Sequence, residues 1–267
     1  MPELPEVEVT RRRLERELVG KSFTGVVLRV AKLRLPVPAE LAEILPGLRV
    51  RGIERRGKYL LFDCGSGRLL VHLGMSGFLQ LLEETSPPGK HDHIDFIFDD
   101  GKLLRFHDPR KFGIVAWLTG DPLQHPLLAG IGPEPLTGAF DGSYLFAATR
   151  NRRVAVKQLI MNSAVVAGVG NIYANEALFR ARIRPDRAAG TLASEECDEL
   201  AADIREVLEE SIGTGSTFRV AEETVGYYPQ ALRVYGRGGE ACPGCGAPLD
   251  EIRLGNRSTV FCGTCQK

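Results

Sequence analysis

The sequence predicts an α+β protein: an N-terminal helix, then an antiparallel β-sandwich or barrel, then a helical half ending in a small cysteine-bearing hairpin. Three observations carry this prediction. Residues from about 22 to 118 read as short strands separated by turn signals. Residues beyond 143 show helical apolar spacing. The end of the chain holds four cysteines in two C-x2-C pairs.

In chain order, Pro5 suits the first turn of a helix, where its missing N–H is no loss. Val7, Leu14 and Leu18 fall on one helical face, and Gly20 ends the helix. The stretch "HIDFIF" alternates apolar and polar residues, and Asp99-Asp100-Gly101-Lys102 is a hairpin turn leading into "LLRF". "LLFDCGSGRLLVHL" is a second hairpin, turning at Gly65-Ser66-Gly67. Residues 119–143 are rich in Gly and Pro and read as a linker. Helices are expected over 144–162, 171–182 and 194–212. No long repeat appears.

With 267 residues the chain suffices for two modest domains or one large one. Its 43% apolar and 25% charged residues are ordinary for a chain that buries a real core. It has no run of about 18 apolar residues, which excludes a transmembrane helix. The charged start lacks a signal-peptide pattern, so the cytoplasm is the expected location. Net charge is zero, yet the charges are segregated. Residues 150–184 hold seven basic side chains against Glu176 alone, and residues 195–210 hold eight acids against Arg205. A neutral protein can therefore carry a local basic face; solvated helix faces explain the same pattern equally well.

Cys242, Cys245, Cys262 and Cys265 are spaced as C-x2-C, sixteen residues, C-x2-C. Two tight turns that each offer two thiolates close one tetrahedral site. The alternative, two disulfides, is disfavoured in a reducing cytoplasm. All four positions are filled by protein, so the metal is expected to be one structural zinc with no catalytic water. The intervening residues read as a hairpin, "DEIRL", a turn at Gly255-Asn256 and "STVF", with Arg257 at its tip. Arg257 beside a basic region is a phosphate-binding candidate. Cys64 and Cys197 stand outside this scheme as ordinary thiols. The stretch "NSAVVAGVGNIYANEALF" joins two helices through Gly168 and Gly170. Those glycines allow close backbone approach, and Asn171 can cap the second helix. A helix N-terminus offers free N–H groups to an anion, and the preceding "RNRRVAVK" favours a DNA phosphate there.

Three separated features coincide: the N-terminal "PELPEVE", the helix–two-turn–helix stretch "VVAGVGNIYANEALF" and the terminal zinc hairpin. Together with "RRGKYLL", "HLGMSG", "KHDH", "DPRKFG" and "LRVYGRGGEAC", in that order, they make the chain resemble the bacterial formamidopyrimidine-DNA glycosylases end to end. The resemblance implies removal of 8-oxoguanine and ring-opened purines from duplex DNA in base-excision repair, with AP lyase β,δ-elimination. It also implies an N-terminal helix plus β-sandwich domain (1–118), a linker (119–143), a helical helix–two-turn–helix DNA-binding domain (144–234) and a zinc finger (235–267). The partner would be damaged double-stranded DNA, with no membrane, and the protein a cytoplasmic, nucleoid-associated monomer.

Residue roles follow from the same resemblance. Removal of Met1 would expose Pro2 as a secondary amine, an α-amine with a pKa near ~8 that a nearby helix N-terminus lowers. That amine would attack the sugar C1′ and form an iminium. Glu3 would be the general acid/base, with Glu6 a further acid. Glu8 reads as a plain helix-N-terminal carboxylate. Lys58 would bind phosphate and assist β-elimination, and Arg257 would assist δ-elimination. Met75, Arg110 and Phe112 would fill the gap left by a flipped nucleotide, Arg110 bonding the orphaned cytosine. His91, Arg152 and Lys157 match DNA-contacting positions. Asn171 would complete a phosphate clamp with Lys58 and Arg257, while Tyr173 packs.

Two departures stand out. Asn162 occupies a position where the family has an acid, and the capping segment 215–228 is a few residues short. Two other readings remain: an endonuclease VIII-type enzyme for oxidised pyrimidines, which typically begins "PEGPE", and a non-catalytic zinc-containing DNA-binding protein. Leu4 and the Met/Arg/Phe set argue against the first, and the presence of Pro2, Glu3 and Lys58 against the second.

Overall fold

Apolar spacing decides where the first helix forms. Helix α1 spans Leu4–Leu18 and buries Val7, Leu14 and Leu18. Gly20 follows at φ +94°, a left-handed conformation that ends the helix at little steric cost. The structure, a computed structural model, describes residues 2–215, 218–220, 225–227 and 232–267. The chain forms two compact units. The first holds Pro2 and Glu6–Ala129; the second holds Glu3–Pro5 and most of the chain from Gly130 onward.

In the first unit, α1 is followed by β1 (Phe23–Leu28), α2 (Leu41–Ile44), β2 (Gly52–Arg56), β3 (Tyr59–Asp63), β4 (Arg68–His72), β5 (Phe78–Glu83), β6 (Asp92–Phe98), β7 (Lys102–His107) and β8 (Ile114–Leu118). The strands form two four-stranded antiparallel sheets, ordered β1-β6-β7-β5 and β2-β3-β4-β8. Phe23, Phe96 and Phe106 from one sheet and Ile53, Phe62 and Val71 from the other share a single core, so the unit is a sandwich. Both expected hairpins are present, β3–β4 and β6–β7. The alternation in β6 shows why. Ile94, Phe96 and Phe98 enter the core, while Asp95 lies buried between them in sequence and bonds Arg105 at 2.7 Å and Arg29 at 2.6 Å.

The second unit contains α3 (Gly142–Thr149), α4 (Val156–Ile160), α5 (Asn171–Arg180), α6 (Ser194–Gly213) and the hairpin β11 (Asp250–Leu254) and β12 (Arg257–Phe261); between α6 and β11 the chain also forms the paired strands β9 (Phe218–Val220) and β10 (Val225–Tyr227). The single helix expected over 144–162 is two helices. Asn151 adopts φ +60°, and the backbone around it pairs with residues 187–190 instead of with itself: Val156 N–H donates to Arg187 O, and Arg152 and Val154 carbonyls accept from Gly190 and Ala189. Among the described residues no helix is long and apolar enough to cross a membrane.

Helix α5 is the hub of this unit, with every residue from Ile172 to Phe179 buried. Its buried Glu176 accepts the backbone N–H groups of Arg233, Val234 and Tyr235 at 2.8–3.0 Å. That ties the turn leading into the cysteine hairpin onto the helix. The hairpin itself turns at Gly255 and Asn256, with φ +55° and +61°, the two positive values that a two-residue turn of matching twist requires.

Ahead of α5, Gly168 adopts φ +81° and its carbonyl accepts the N–H of Leu4 at 3.0 Å. A β-carbon at 168 would lie 2.6 Å from Leu4 Cβ. Gly168→Ala combines an unfavourable φ with this clash and should cost about 1–3 kcal/mol. Denaturant titration at unchanged m-value checks this; a midpoint within error of the parent would refute it.

Candidate active site and metal centre

The four cysteines converge. Their sulfurs all lie within 4.8 Å of one another, with Cys242–Cys265 at 3.9 Å and Cys245–Cys262 at 3.5 Å. A tetrahedron with Zn–S bonds of about 2.3 Å has edges of about 3.8 Å, so the donor set fits one zinc ion. Backbone N–H groups of Gly244 and Cys265 point at the sulfurs of Cys242 and Cys262, both at 3.4 Å, which favours thiolates. With four protein ligands the zinc is structural.

The N-terminus of α5 is occupied by the chain's own carboxylate. Glu3 accepts the N–H of Ile172 at 3.0 Å and of Tyr173 at 3.3 Å. This corrects two expectations. Asn171 is the first helical residue rather than the cap, because Gly170 holds the cap position without a side-chain bond. The free N–H groups expected to meet a DNA phosphate meet Glu3 instead, since a helix N-terminus takes the nearest anion. A β-carbon at position 170 would overlap the Glu3 carboxylate, so any larger residue there would have to push Glu3 off the α5 amides.

Asn171 Nδ2 donates to Ser258 O at 3.1 Å, leaving one amide hydrogen for a ligand. Lys157, expected to touch DNA, is buried. Its Nζ donates to Ser258 O at 2.9 Å and to Thr259 Oγ1 at 2.7 Å, so it holds the zinc hairpin. Burial pushes Lys157 down to about 7; the Glu3 carboxylate opposes this and the Arg257 guanidinium adds to it. Glu3, Lys157, Asn171 and the hairpin tip bearing exposed Arg257 therefore form one group in the second unit.

In the first unit, Lys58 sits half-buried in the turn between β2 and β3, after Gly57 at φ +56°. His72 lies within its electrostatic reach. The His72 ring packs on Tyr59 with centroids 4.7 Å apart, and its Nδ1 accepts the N–H of Gly74 at 3.0 Å. Burial first, then Lys58 and Arg34, push His72 down to about 4. It is therefore neutral, with Nε2–H left as a donor.

The expected gap-filling residues share one corner of this unit. Arg110 and Phe112 are exposed, the guanidinium 4.7 Å over the ring centre. Fully buried Asp108 shapes their loop: its carboxylate accepts the N–H of Arg110 at 3.2 Å and of Gly113 at 2.7 Å, and its carbonyl meets His93 Nε2 at 2.9 Å. The turn carrying half-buried Met75 lies against this loop, since a β-carbon on Gly74 would come within 2.6–2.7 Å of the Phe112 and Gly113 backbone. His91 lines a cavity of about 340 Å³ together with Arg29, Lys90 and Lys111.

Of the remaining candidates, Pro2 and Glu6 are buried at the start of the chain, and Arg152 is exposed beside Arg153. Tyr173 packs as expected, its hydroxyl 2.6 Å from Ser211 Oγ. Glu8 is no simple N-terminal carboxylate: Arg11, Arg12 and Arg55 all bond it at 2.8–3.0 Å. Asn162 makes a local turn by accepting from Ala164 N. Met1 and, apart from Gly215 and the β9 and β10 backbones, the capping segment lie outside the described residues. Sequence reasoning missed His72 and Asp108. Both lie inside quoted motifs, "HLGMSG" and "DPRKFG", and His72 followed by Gly74 was the available signal.

Comparison with known proteins agrees with this geometry. Family profiles described as the formamidopyrimidine-DNA glycosylase N-terminal domain, the formamidopyrimidine-DNA glycosylase H2TH domain and the zinc finger found in FPG and IleRS match residues 1–115, 131–221 and 239–267. A formamidopyrimidine-DNA glycosylase of Geobacter metallireducens is 69% identical, with both chains covered completely. Lactococcus lactis Fpg in complex with abasic-site DNA is 34% identical, with 99% of each chain covered and a TM-score of 0.91. The same organism's wild-type Fpg with DNA containing N7-benzyl-Fapy-dG is 36% identical, with 100% of each covered and a TM-score of 0.92.

Metal analysis should find about one zinc per chain, and Cys245→Ala or strong chelation should release it together with the hairpin's order. A zinc-free preparation with unchanged hairpin protection against proteolysis would contradict this. His72 makes a separate prediction about acid stability. Its folded pKa, about 4, lies below the ordinary 6.5, so between these values the unfolded chain binds a proton that the folded chain does not. Stability from this group is therefore full above pH 6.5 and falls as pH drops toward 4. His72→Gln should flatten that limb by up to ~1.4 kcal/mol per pH unit. Denaturation midpoints at pH 7, 5.5 and 4.5 test it; parallel curves would refute it.

Proposed function

The chain belongs to the formamidopyrimidine-DNA glycosylase family, the base-excision-repair glycosylases and AP lyases that act on oxidised purines in damaged DNA, and on that premise we propose how its residues divide the work. Pro2, freed of Met1, attacks C1′ of the flipped nucleotide through its secondary amine. The N–C1′ bond forms as the C1′–base bond breaks and the amine gives up its proton; the C1′–O4′ bond of the sugar ring then opens, O4′ taking a proton, and the resulting iminium acts as the electron sink for elimination. Glu3 is the acid/base. Its carboxylate is buried and oriented by two α5 amides, and that is the observation carrying the proposal.

β-Elimination removes a C2′ proton and breaks the C3′–O bond, with Lys58 on the phosphate. δ-Elimination removes a C4′ proton and breaks the C5′–O bond, with Arg257 on that phosphate. Neutral His72 is a further phosphate donor beside Lys58, and the remaining Asn171 amide hydrogen another beside Arg257. Met75, Arg110 and Phe112 fill the gap left by the extruded nucleotide, and Arg110 bonds the orphaned cytosine. His91 with its basic cavity and exposed Arg152 contact the DNA backbone; Lys157 is assigned to the hairpin instead. The substrate is duplex DNA, the protein a cytoplasmic, nucleoid-associated monomer, and the division into 1–118, 119–143, 144–234 and 235–267 describes its domains.

The test is borohydride reduction during reaction with a duplex carrying 8-oxoguanine opposite cytosine. Peptide mapping should find the trapped sugar on Pro2 and the mature chain lacking Met1. Trapping through a lysine would refute the assignment. Glu3→Gln should lower base release by roughly 10²–10⁴-fold, the usual contribution of a positioned proton-transfer group.

A further inference from the structure

We propose that Asn175 is a positioning residue that sets the register of β12 on α5 and so fixes the placement of Arg257 at the hairpin tip. Asn175 is 1% exposed, in the middle of α5. Its Nδ2 donates to Asn171 O, at 2.5 Å, and its Oδ1 accepts the N–H of Val260 at 2.9 Å. Among the described bonds, this is the one by which an α5 side chain accepts a backbone N–H of β12. An asparagine can do both because one end of its amide donates and the other accepts. In an isolated helix Asn171 O would be claimed by the N–H of residue 175; here the side chain of the same residue also reaches it. The amide therefore ties β12 to the first turn of α5, the turn that holds Glu3.

The remaining contacts on this edge leave the register open to Asn175. Lys157 bonds a carbonyl and a hydroxyl, and its long flexible stem tolerates displacement. Asn171 bonds the same Ser258 carbonyl from a half-buried position. Val260 lies three residues from Arg257 on a strand that, among the described residues, pairs with β11 alone, so its N–H on Asn175 is the buried reference from which the tip is measured. The inference rests on the reading of Arg257 as the residue that assists δ-elimination.

The experiment measures the ratio of δ- to β-elimination products on a duplex with an abasic site, using the full-length zinc-loaded chain. Asn175→Leu, similar in volume but unable to make either bond, should lower the ratio about tenfold, the effect expected from losing a buried hydrogen bond at about 1.4 kcal/mol. Arg257→Ala should lower it at least as far, and the double variant no further than Arg257→Ala alone, because both act through one group. Asn175→Asp, which keeps the acceptor for Val260, should restore most of the ratio and serves if the leucine variant fails to fold. Additive effects, or an unchanged ratio in Asn175→Leu with Arg257→Ala impaired, would overturn the Asn175 proposal alone. An unchanged ratio in Arg257→Ala would remove the reading of Arg257 and this proposal with it.

Discussion

One carboxylate on one helix end organises the second unit. The two N–H groups that Glu3 occupies are among the four that any α-helix leaves unsatisfied at its start, and they carry the positive end of the helix dipole. Placing residue 3 there also seats Leu4, whose N–H reaches the carbonyl of Gly168 and whose side chain is buried in the helical core. It also dictates glycine at 168 and 170, where a β-carbon would strike Leu4 or Glu3. The glycines that invite a reading as a phosphate loop serve a carboxylate from the same chain.

The other end of that arrangement is the zinc hairpin, whose core among the described residues is small: Phe179, Val234, Leu249, Val260 and three of the cysteines, Cys242, Cys262 and Cys265. A segment this small cannot hold a geometry by apolar burial alone. The metal closes the hairpin, and buried polar groups, one on α5 and one at the end of the cysteine segment, attach it. Glu176 takes three amides of the incoming chain, and Gln266 bonds Ile183 O and Cys262 N at 2.8 Å each. Every one of these groups would be costly if left unpaired, which makes the docked geometry specific as well as stable.

The sandwich was legible because period-two alternation and Gly-rich turns are local signals, as in "HIDFIF" and "CGSG". The zinc site was legible for the same reason: the ligands come in two short motifs. The continuous helix over 144–162 was a misreading, since the break at Asn151 is stabilised by backbone donors and acceptors thirty-odd residues later, which no local pattern reveals. Lys157 was misassigned because a lysine in a basic run looks solvated until its burial against Ser258 and Thr259 is seen. No local signal marks Glu3 as a helix cap, because its partners lie 169 and 170 positions away.

The loop from Asp108 to Gly113 has a mechanical consequence. A side chain that enters a stack of bases is a wedge, and a wedge transmits force only if its mount is stiffer than the stack. Separating two bases costs a few kcal/mol. An exposed loop without internal support would bend away under that load. Here a buried carboxylate grips the backbone on both sides of Phe112, and the arginine beside it braces the ring. Under the gap-filling role proposed for Phe112, a mount of this stiffness is what would let the loop test base pairs in turn, the weaker ones yielding first.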